Sequence, residues 1–270
     1  MSHEAIVDQN NNGVEQQLAL WARSLAGEPY SGYPARADRL VMDPADFEYD
    51  ETGRLVLPDG PWNVDFHPRQ PLWELAPTPA RQAELQAQGY VLDSRGRPLH
   101  PWFARMISNP LIGVTLGKGE NWEWGPSQTV DMLAAQEYEG EDHFLLIERD
   151  DTGEWAVPGG YKEADETDEE GALREAAEET ELVIPSGAEM VQIYQGPVAD
   201  PRATAHAWNN TTAFYVRLPA GPLPKVTGQS DARTARWVPR SELEKRRMRF
   251  FGSHQFLAQL AMEQASSEAA

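Results

Sequence analysis

The sequence predicts an α/β (α+β) domain in its second half, with an irregular N-terminal extension packed on it. Three observations lead there. Strand-like runs alternate with helical ones from about residue 110 onward, the pattern of packed α and β layers. The stretch before that is rich in Pro and Trp, with turn signals but little periodicity. The 270 residues are 40% hydrophobic, with 9 Trp, 8 Tyr and 8 Phe, enough for the core of one large domain or two modest ones. The expected organisation is an extension over 1–110, the α/β domain over 111–265 and a disordered tail over 266–270.

Taken in order, Leu18, Trp21, Ala22 and Leu25 recur at helical spacing and predict a helix over 14–27, ended by Gly27. A second helix is expected over 78–89, in "TPARQAELQAQG". A glycine-punctuated segment follows over 109–128. "DHFLLIERDD" reads as a buried strand ending in a turn, with "GEWAVPGG" after it. "MVQIYQG", "NTTAFYVRL" and "TARWVP" read as strands, while "SELEKRRMR" and "SHQFLAQLAMEQ" read as helices.

Between the glycines of "EWAVPGG" and the strand "MVQIYQG" lies "GALREAAEET". Thr167 followed three residues on by Glu170 forms a capping box, so a helix should begin near Asp168. At about 100° per residue, Glu175, Glu178, Glu179 and Leu182 share one face. Leu173, Ala176, Ala177, Thr180 and Ile184 share the other, which should pack against the sheet. Like charges at this spacing cost only a few tenths of a kcal/mol each, so the cluster alone fits solvated surface as well as a metal site. Gly159 and Gly160 add information, because glycine permits backbone angles that expose carbonyls and bring the chain close to a ligand. A hard cation such as Mg²⁺ is bound by carboxylates, carbonyls, waters and substrate phosphates. Gly159 or Gly160 with Glu175, Glu178 and Glu179 would supply such atoms.

Gly160, Glu166, Arg174, Glu175, Glu178, Glu179 and Leu182 match in register the box G-x5-E-x7-R-E-U-x-E-E-x-G-U. On these residues the chain resembles the Nudix family, and the resemblance implies an α/β/α sandwich with a mixed sheet. One position departs: Glu181 stands where the box has glycine, so helix termination is expected from Pro185, which restricts Ile184. The runs over 192–213 and 235–257, with "PWNVDF" and "GKGENWEWGP" before them, resemble the ADP-ribose pyrophosphatase branch of that family. This branch includes the mitochondrial-type enzymes and the related C-terminal domain of an ADP-ribose-gated cation channel. The resemblance implies Mg²⁺-dependent (or Mn²⁺-dependent) hydrolysis of ADP-ribose to AMP and ribose 5-phosphate, with Glu175, Glu178 and Glu179 catalytic as metal ligands. Other diphosphates, or binding without turnover, remain open.

The resemblance also implies that Glu166 and Arg174 brace loop against helix. Asp200 and Arg202, in "DPR", match positions that hold ADP-ribose in the relatives, and are otherwise an Asp-Pro turn. Phe251, Ser253 and His254 resemble a cluster that meets the diphosphate and terminal ribose. Lys118, among Gly113, Gly117 and Gly119, lies in a loop able to approach phosphate. Asp231, in a loop before a strand, is the candidate base. Trp122, Trp124 and Trp208 read as core or as stacking surfaces, and His206 as a surface residue.

The net charge of −20, from 43 acidic and 23 basic residues, argues against a nucleic-acid polymer as partner. It leaves room for a small nucleoside diphosphate, because a bound cation inverts the local charge. No run reaches the roughly 18 apolar residues of a membrane span. With no cysteine and no apolar leader in "MSHEAIVDQNNNG", a cytoplasmic protein is expected. The oligomeric state is left open by the sequence.

Overall fold

The computed structural model describes residues 3–26, 39–60, 62–63, 76–119, 121–245 and 247–268, with only the backbone described for 3–12. Of "PWNVDF", only Trp62 and Asn63 fall among them. Two compact units emerge: residues 1–127 with 197–209, and residues 128–196 with 210–270. The segment carrying Asp200 and Arg202 thus groups with the N-terminal residues.

The first unit holds α1 (His3–Ala26), β1 (Glu48–Tyr49), β2 (Leu55–Val56), α2 (Pro79–Ala87) and α3 (Phe103–Ile107). Thr78 caps α2 through the N–H of Arg81, and Pro79 occupies its first turn, where a missing N–H costs nothing. The core gathers Trp21, Met106, Ile107, Val114, Leu116 and Trp208, all fully buried. Trp208 is therefore core. His206, expected at the surface, is also fully buried, its Nδ1 2.8 Å from the carbonyl of Pro98.

The sheet contains β3 (Gly125–Tyr138), β4 (Glu141–Arg149), β5 (Trp155–Ala156), β6 (Gly159–Tyr161), β7 (Met190–Pro197), β8 (Ala207–Leu218) and β9 (Ala232–Pro239). Its order is β5-β4-β3-β8-β7, with β6 also on β3 and β9 also on β4. The helices are α4 (Asp168–Thr180), α5 (Arg240–Glu244) and α6 (His254–Glu268). The second unit's core packs Ala172 and Ala176 of α4 against Val130, Met132, Leu145, Ile147, Phe214 and Val216 of the strands. Sheet and helices give the α+β class that the sequence predicts. Among the described residues, no helix is long and apolar enough to cross a membrane.

Three expectations need correction. The tail expected to be disordered from 266 is helical to Glu268: Ala265 is buried, and Arg217 holds Glu268 at 2.9 Å. Helix α4 does not wait for Pro185 to end it. Glu181 itself turns left-handed at φ 59°, ψ 10°, and its N–H donates to Ala177 O at 2.9 Å. Finally, the inner face of α4 includes Glu179, which is 3% exposed, beside Ala172, Ala176 and Thr180.

Candidate active site

The predicted capping box is present in full: the Thr167 hydroxyl accepts from Glu170 N, and the Glu170 carboxylate accepts from Thr167 N. It fixes where α4 starts and hence which side chains face β6. Asp168 adds a tether, bonded to Lys162 at 2.8 Å and to the Thr212 hydroxyl at 2.7 Å.

Neither Gly159 nor Gly160 has a positive φ. They form β6, paired antiparallel with Asp131 and Val130 of β3. Glycine is required by proximity instead. A Cβ on Gly160 would lie 2.6 Å from the Glu175 carboxylate, and one on Gly159 would press on Val130 O and the Asp131 carboxylate. The Gly159 N–H donates to Glu179 Oε2 at 2.9 Å.

Around this strand the carboxylates separate by environment. Glu179 is pushed up to about 9, first by burial, then by Asp231, which is within hydrogen-bonding reach, and by Glu175; the Gly159 N–H pulls the other way. Burial also raises Glu175, against the pull of Arg174. Glu178 is different, with a side chain 56% exposed and 3.3 Å from Arg174. Arg174 bonds Glu166 twice, at 2.6 and 3.0 Å, and also reaches Glu175 Oε1 at 2.8 Å and Tyr161 O at 3.1 Å. Those bonds hold Glu166 down to about 2. Glu166, before α4, and Arg174, on it, thus form an ion pair.

Among the described residues, no three carboxylates or histidines stand as a ready metal-ligand set. Arg174 Nη1 bonds both Glu175 and Glu178, while Glu179 accepts from a backbone N–H. The donor chemistry nonetheless fits a hard cation. Glu175, Glu179 and Asp231 crowd one another, burial disfavours the charge of Glu175 and Glu179, and the missing Cβ of Gly160 leaves a cradle beside Glu175.

Sequence reasoning missed Asp131. It is 6% exposed, receives the Thr211 hydroxyl at 2.5 Å, and is pushed up to about 7 by burial despite that bond, with Glu175 adding repulsion. Its signal was a lone acid within the apolar run "TVDMLAA". His254 lies nearby, its Nδ1 accepting from Val157 N at 3.2 Å and standing 3.7 Å from Asp131 Oδ1. Phe251 and Ser253 are buried, and Phe251 N donates to Trp155 O at 3.0 Å, which ties this segment to β5. Arg149 stacks over the Phe251 ring at 4.4 Å. The structure therefore brings Gly159, Gly160, Glu175, Glu179, Asp231 and His254 into one region with Asp131, and leaves Glu178 at its exposed edge.

The other three candidates belong to the first unit and form a network of their own. Arg202 grips Asp200 through Nε and Nη2, at 2.9 and 2.5 Å, and Asp200 also accepts from Asn209 Nδ2 at 2.9 Å. Asn121 Nδ2 donates to the carbonyls of Lys118 and Arg202, at 3.1 and 3.2 Å. Lys118 is buried and its ammonium donates to Trp122 O at 3.0 Å. Asn121 and Asn209 carried no sequence signal. Trp124 is buried, whereas Trp122 is 70% exposed.

Residues 128–260 match the family model described as the NUDIX domain. Putative nudix hydrolase 6 of Caenorhabditis elegans is 31% identical over 169 residues, covering 58% of this chain and 64% of that one. The mitochondrial ADP-ribose pyrophosphatase of Rattus norvegicus is 26% identical over 181 residues, covering 55% of this chain and 51% of the other. The chain thus spans less than two thirds of the length of these curated relatives. Among solved structures, the NUDIX domain of Shewanella oneidensis NrtR, complexed with ADP ribose, aligns over 52% of this chain and 89% of that chain, at 23% identity and a TM-score of 0.44. The box residues keep their spacing from Gly160 to Leu182, and the family match spans them: residues 128–260 are a Nudix domain.

Proposed function

We propose that the Nudix domain hydrolyses the diphosphate of ADP-ribose to AMP and ribose 5-phosphate, with Mg²⁺, or Mn²⁺, as the working cation. The observation that carries this reading is the crowded set Glu175, Glu179 and Asp231 beside the Gly159–Gly160 strand, in a domain whose rat relative is named for that activity. Glu175, Glu178 and Glu179, with a carbonyl of Gly159 or Gly160, would hold the cation. When bound, it would supply Lewis-acid neutralisation of the diphosphate charge.

The chain's own residues do the rest. Asp231, exposed and next to Glu179, is the residue this reading assigns to take the proton of a water attacking phosphorus. That attack forms one P–O bond while the bond to the bridging oxygen breaks, and the bridging oxygen leaves with the second phosphate. Glu166 and Arg174 keep Glu175 oriented throughout. Lys118, Asp200 and Arg202 are the residues this reading assigns to the substrate's flanking groups.

A second reading is a Nudix hydrolase for another nucleoside diphosphate derivative, such as NADH or a nucleotide sugar. It is favoured by one observation: Asp200 and Arg202 direct paired polar atoms at each other. Turnover of ADP-ribose, NADH and UDP-glucose with Mg²⁺ or Mn²⁺ separates the two. ADP-ribose should lead in kcat/KM by at least about tenfold, roughly 1.4 kcal/mol. Equal or reversed preference selects the second reading, and tight ADP-ribose binding without turnover selects a sensor. Glu179→Gln should lower kcat by at least about a hundredfold, about 2.7 kcal/mol of barrier. Retention within about threefold removes the catalytic assignment.

A further inference from the structure

We infer that Gly228 is a positioning residue: by lying flat between β9 and the end of α4, it lets one loop clamp that helix end and set Asp231 against Glu179. The assignment rests on the reading of Asp231 as the base of diphosphate hydrolysis.

The last carbonyls of a helix have no partner within it. Two of those in α4 are taken by the loop before β9: Glu179 O accepts from Gln229 N and Thr180 O from Thr227 N, both at 3.0 Å. These two donors flank Gly228. The loop therefore bonds the main chain of the same residue whose carboxylate Asp231 meets. Two residues separate Gln229 from Asp231, and they are held tightly. Ala232 N donates to Gln229 O at 2.9 Å, closing a turn through Ser230, at φ 57°, and Asp231. Asp231 O accepts in turn from Asp150 N at 2.8 Å. Where residues 227–229 sit thus decides where the Asp231 carboxylate sits.

Gly228 decides whether the clamp can close. It has no positive φ, so backbone freedom is not what the position requires. A Cβ there would lie 2.5 Å from Thr234 Cα, 2.6 Å from Thr234 N and 2.7 Å from Ala232 O. All three are main-chain atoms of β9, paired with Glu148 and Arg149 of β4, and they cannot swing aside as the tip of a side chain can. A side chain at 228 would push the loop away by about 1 Å to reach ordinary contact. Displacement on that scale at a reacting group can cost about a hundredfold in rate.

A double-mutant cycle in steady-state kinetics, with ADP-ribose and Mg²⁺, tests this. Asp231→Asn should lower kcat at least about a hundredfold, the scale of a general base. Gly228→Ala should lower kcat at least about tenfold with KM unchanged, because it acts through a group engaged only in the transition state. Added to Asp231→Asn, it should cost less than about threefold more, since the group it positions is already gone. A general weakening of the fold would instead multiply with Asp231→Asn, and that result overturns the inference. So does Gly228→Ala with kcat within about threefold of the parent while Asp231→Asn is impaired. Gln229→Pro covers a Gly228→Ala protein that does not fold. It deletes the N–H that Glu179 O accepts, at a residue without positive φ. Its loss of kcat should likewise vanish in the Asp231→Asn background, and a loss that persists there overturns the inference. Failure of the underlying reading looks different. Asp231→Asn with kcat within about threefold of the parent removes the base, and the positioning role with it, whatever Gly228→Ala does. A parent that hydrolyses none of ADP-ribose, NADH and UDP-glucose removes both as well.

Discussion

Each unit of this chain buries carboxylates, and the two sets differ in the charges beside them. In the first, Arg97 and Asp93 are each 1% exposed and joined at 2.8 Å, and Asp93 also receives the backbone N–H groups of Arg95 and Arg97. Thr204, also buried, donates to Gly117 O and accepts from His206 N and Ala207 N. In the second unit Glu179 and Asp131 are also buried, yet the charged groups acting on them are other carboxylates. Burial with partners reads as architecture, because the desolvation cost is offset on the spot. Burial beside like charges disfavours the ionised form, and groups in that state mark sites of chemistry.

The largest expected effect breaks this contrast at one residue in each unit. Asp93→Ala leaves the Arg97 guanidinium buried without its counter-ion, and should destabilise the protein by about 3–5 kcal/mol. Glu179→Gln replaces a carboxyl whose ionised form the fold disfavours with a neutral amide, so it should leave stability unchanged or raised. Urea denaturation of both variants near neutral pH measures the two arms. Similar losses in both would mean that Glu179 is a structural carboxylate like Asp93, and the contrast would be gone.

The same contrast explains what the sequence made legible. Helix α4 announced itself because its signals are local: Thr167 and Glu170 cap it, and Glu175 and Glu179 follow at fixed spacing. Strand β3 went unseen although it is the longest element of the sheet. Met132, Leu133, Ala134 and Ala135 are good helix formers, and the strand is buried along nearly its whole length, so no two-residue alternation shows. Its partners make it a strand: the more distant β6 at Thr129–Asp131 and the adjacent β4, across a hairpin, at Ala135–Tyr138. Asp131 was hidden for the same reason, since its meaning lies in Gly159, Thr211 and His254. The first unit is stitched by non-local bonds such as Asn121 to Arg202 and His100 N to Ala205 O. No spacing rule reports such bonds.

A smaller effect sharpens the comparison through pH. His100 is buried in the first unit and its Nδ1 accepts from Trp102 N at 2.9 Å; burial lowers its pKa to about 3. An unfolded histidine titrates near 6.5. Between those values the unfolded chain binds a proton that the folded chain refuses, so stability is full above about 6.5 and falls as pH drops toward 3. The slope from this group approaches about 1.4 kcal/mol per pH unit. His206, also held well below the usual range by burial and Arg97, acts in the same direction. His100→Asn preserves an acceptor for Trp102 N but cannot titrate. Its stability should therefore fall less than the parent's between pH 7 and 5, by about 2 kcal/mol, in paired urea melts. Equal losses would show that the site takes up its proton without unfolding.

The smallest effect concerns the end of α4, where the second unit departs from its family's box. Glu181 occupies the left-handed region at φ 59°, a conformation that costs a residue with a Cβ roughly 1–2 kcal/mol. Glycine there escapes that cost but loses more chain entropy on folding, roughly 0.5–1 kcal/mol. The N–H bond to Ala177 O is backbone and survives the change. What is lost is the 3.3 Å contact from Gln229 Nε2, on an exposed surface where such bonds contribute little. Glu181→Gly should thus stabilise the protein by about 0.5–1 kcal/mol, read as a rise in the urea midpoint at unchanged slope. Gln229→Ala, which removes the tether alone, separates the two contributions and should shift the midpoint by a few tenths of a kcal/mol at most. A loss of stability in Glu181→Gly, matched by Gln229→Ala, would mean that the side-chain tether outweighs the strain. The glutamate would then be the better residue at this turn.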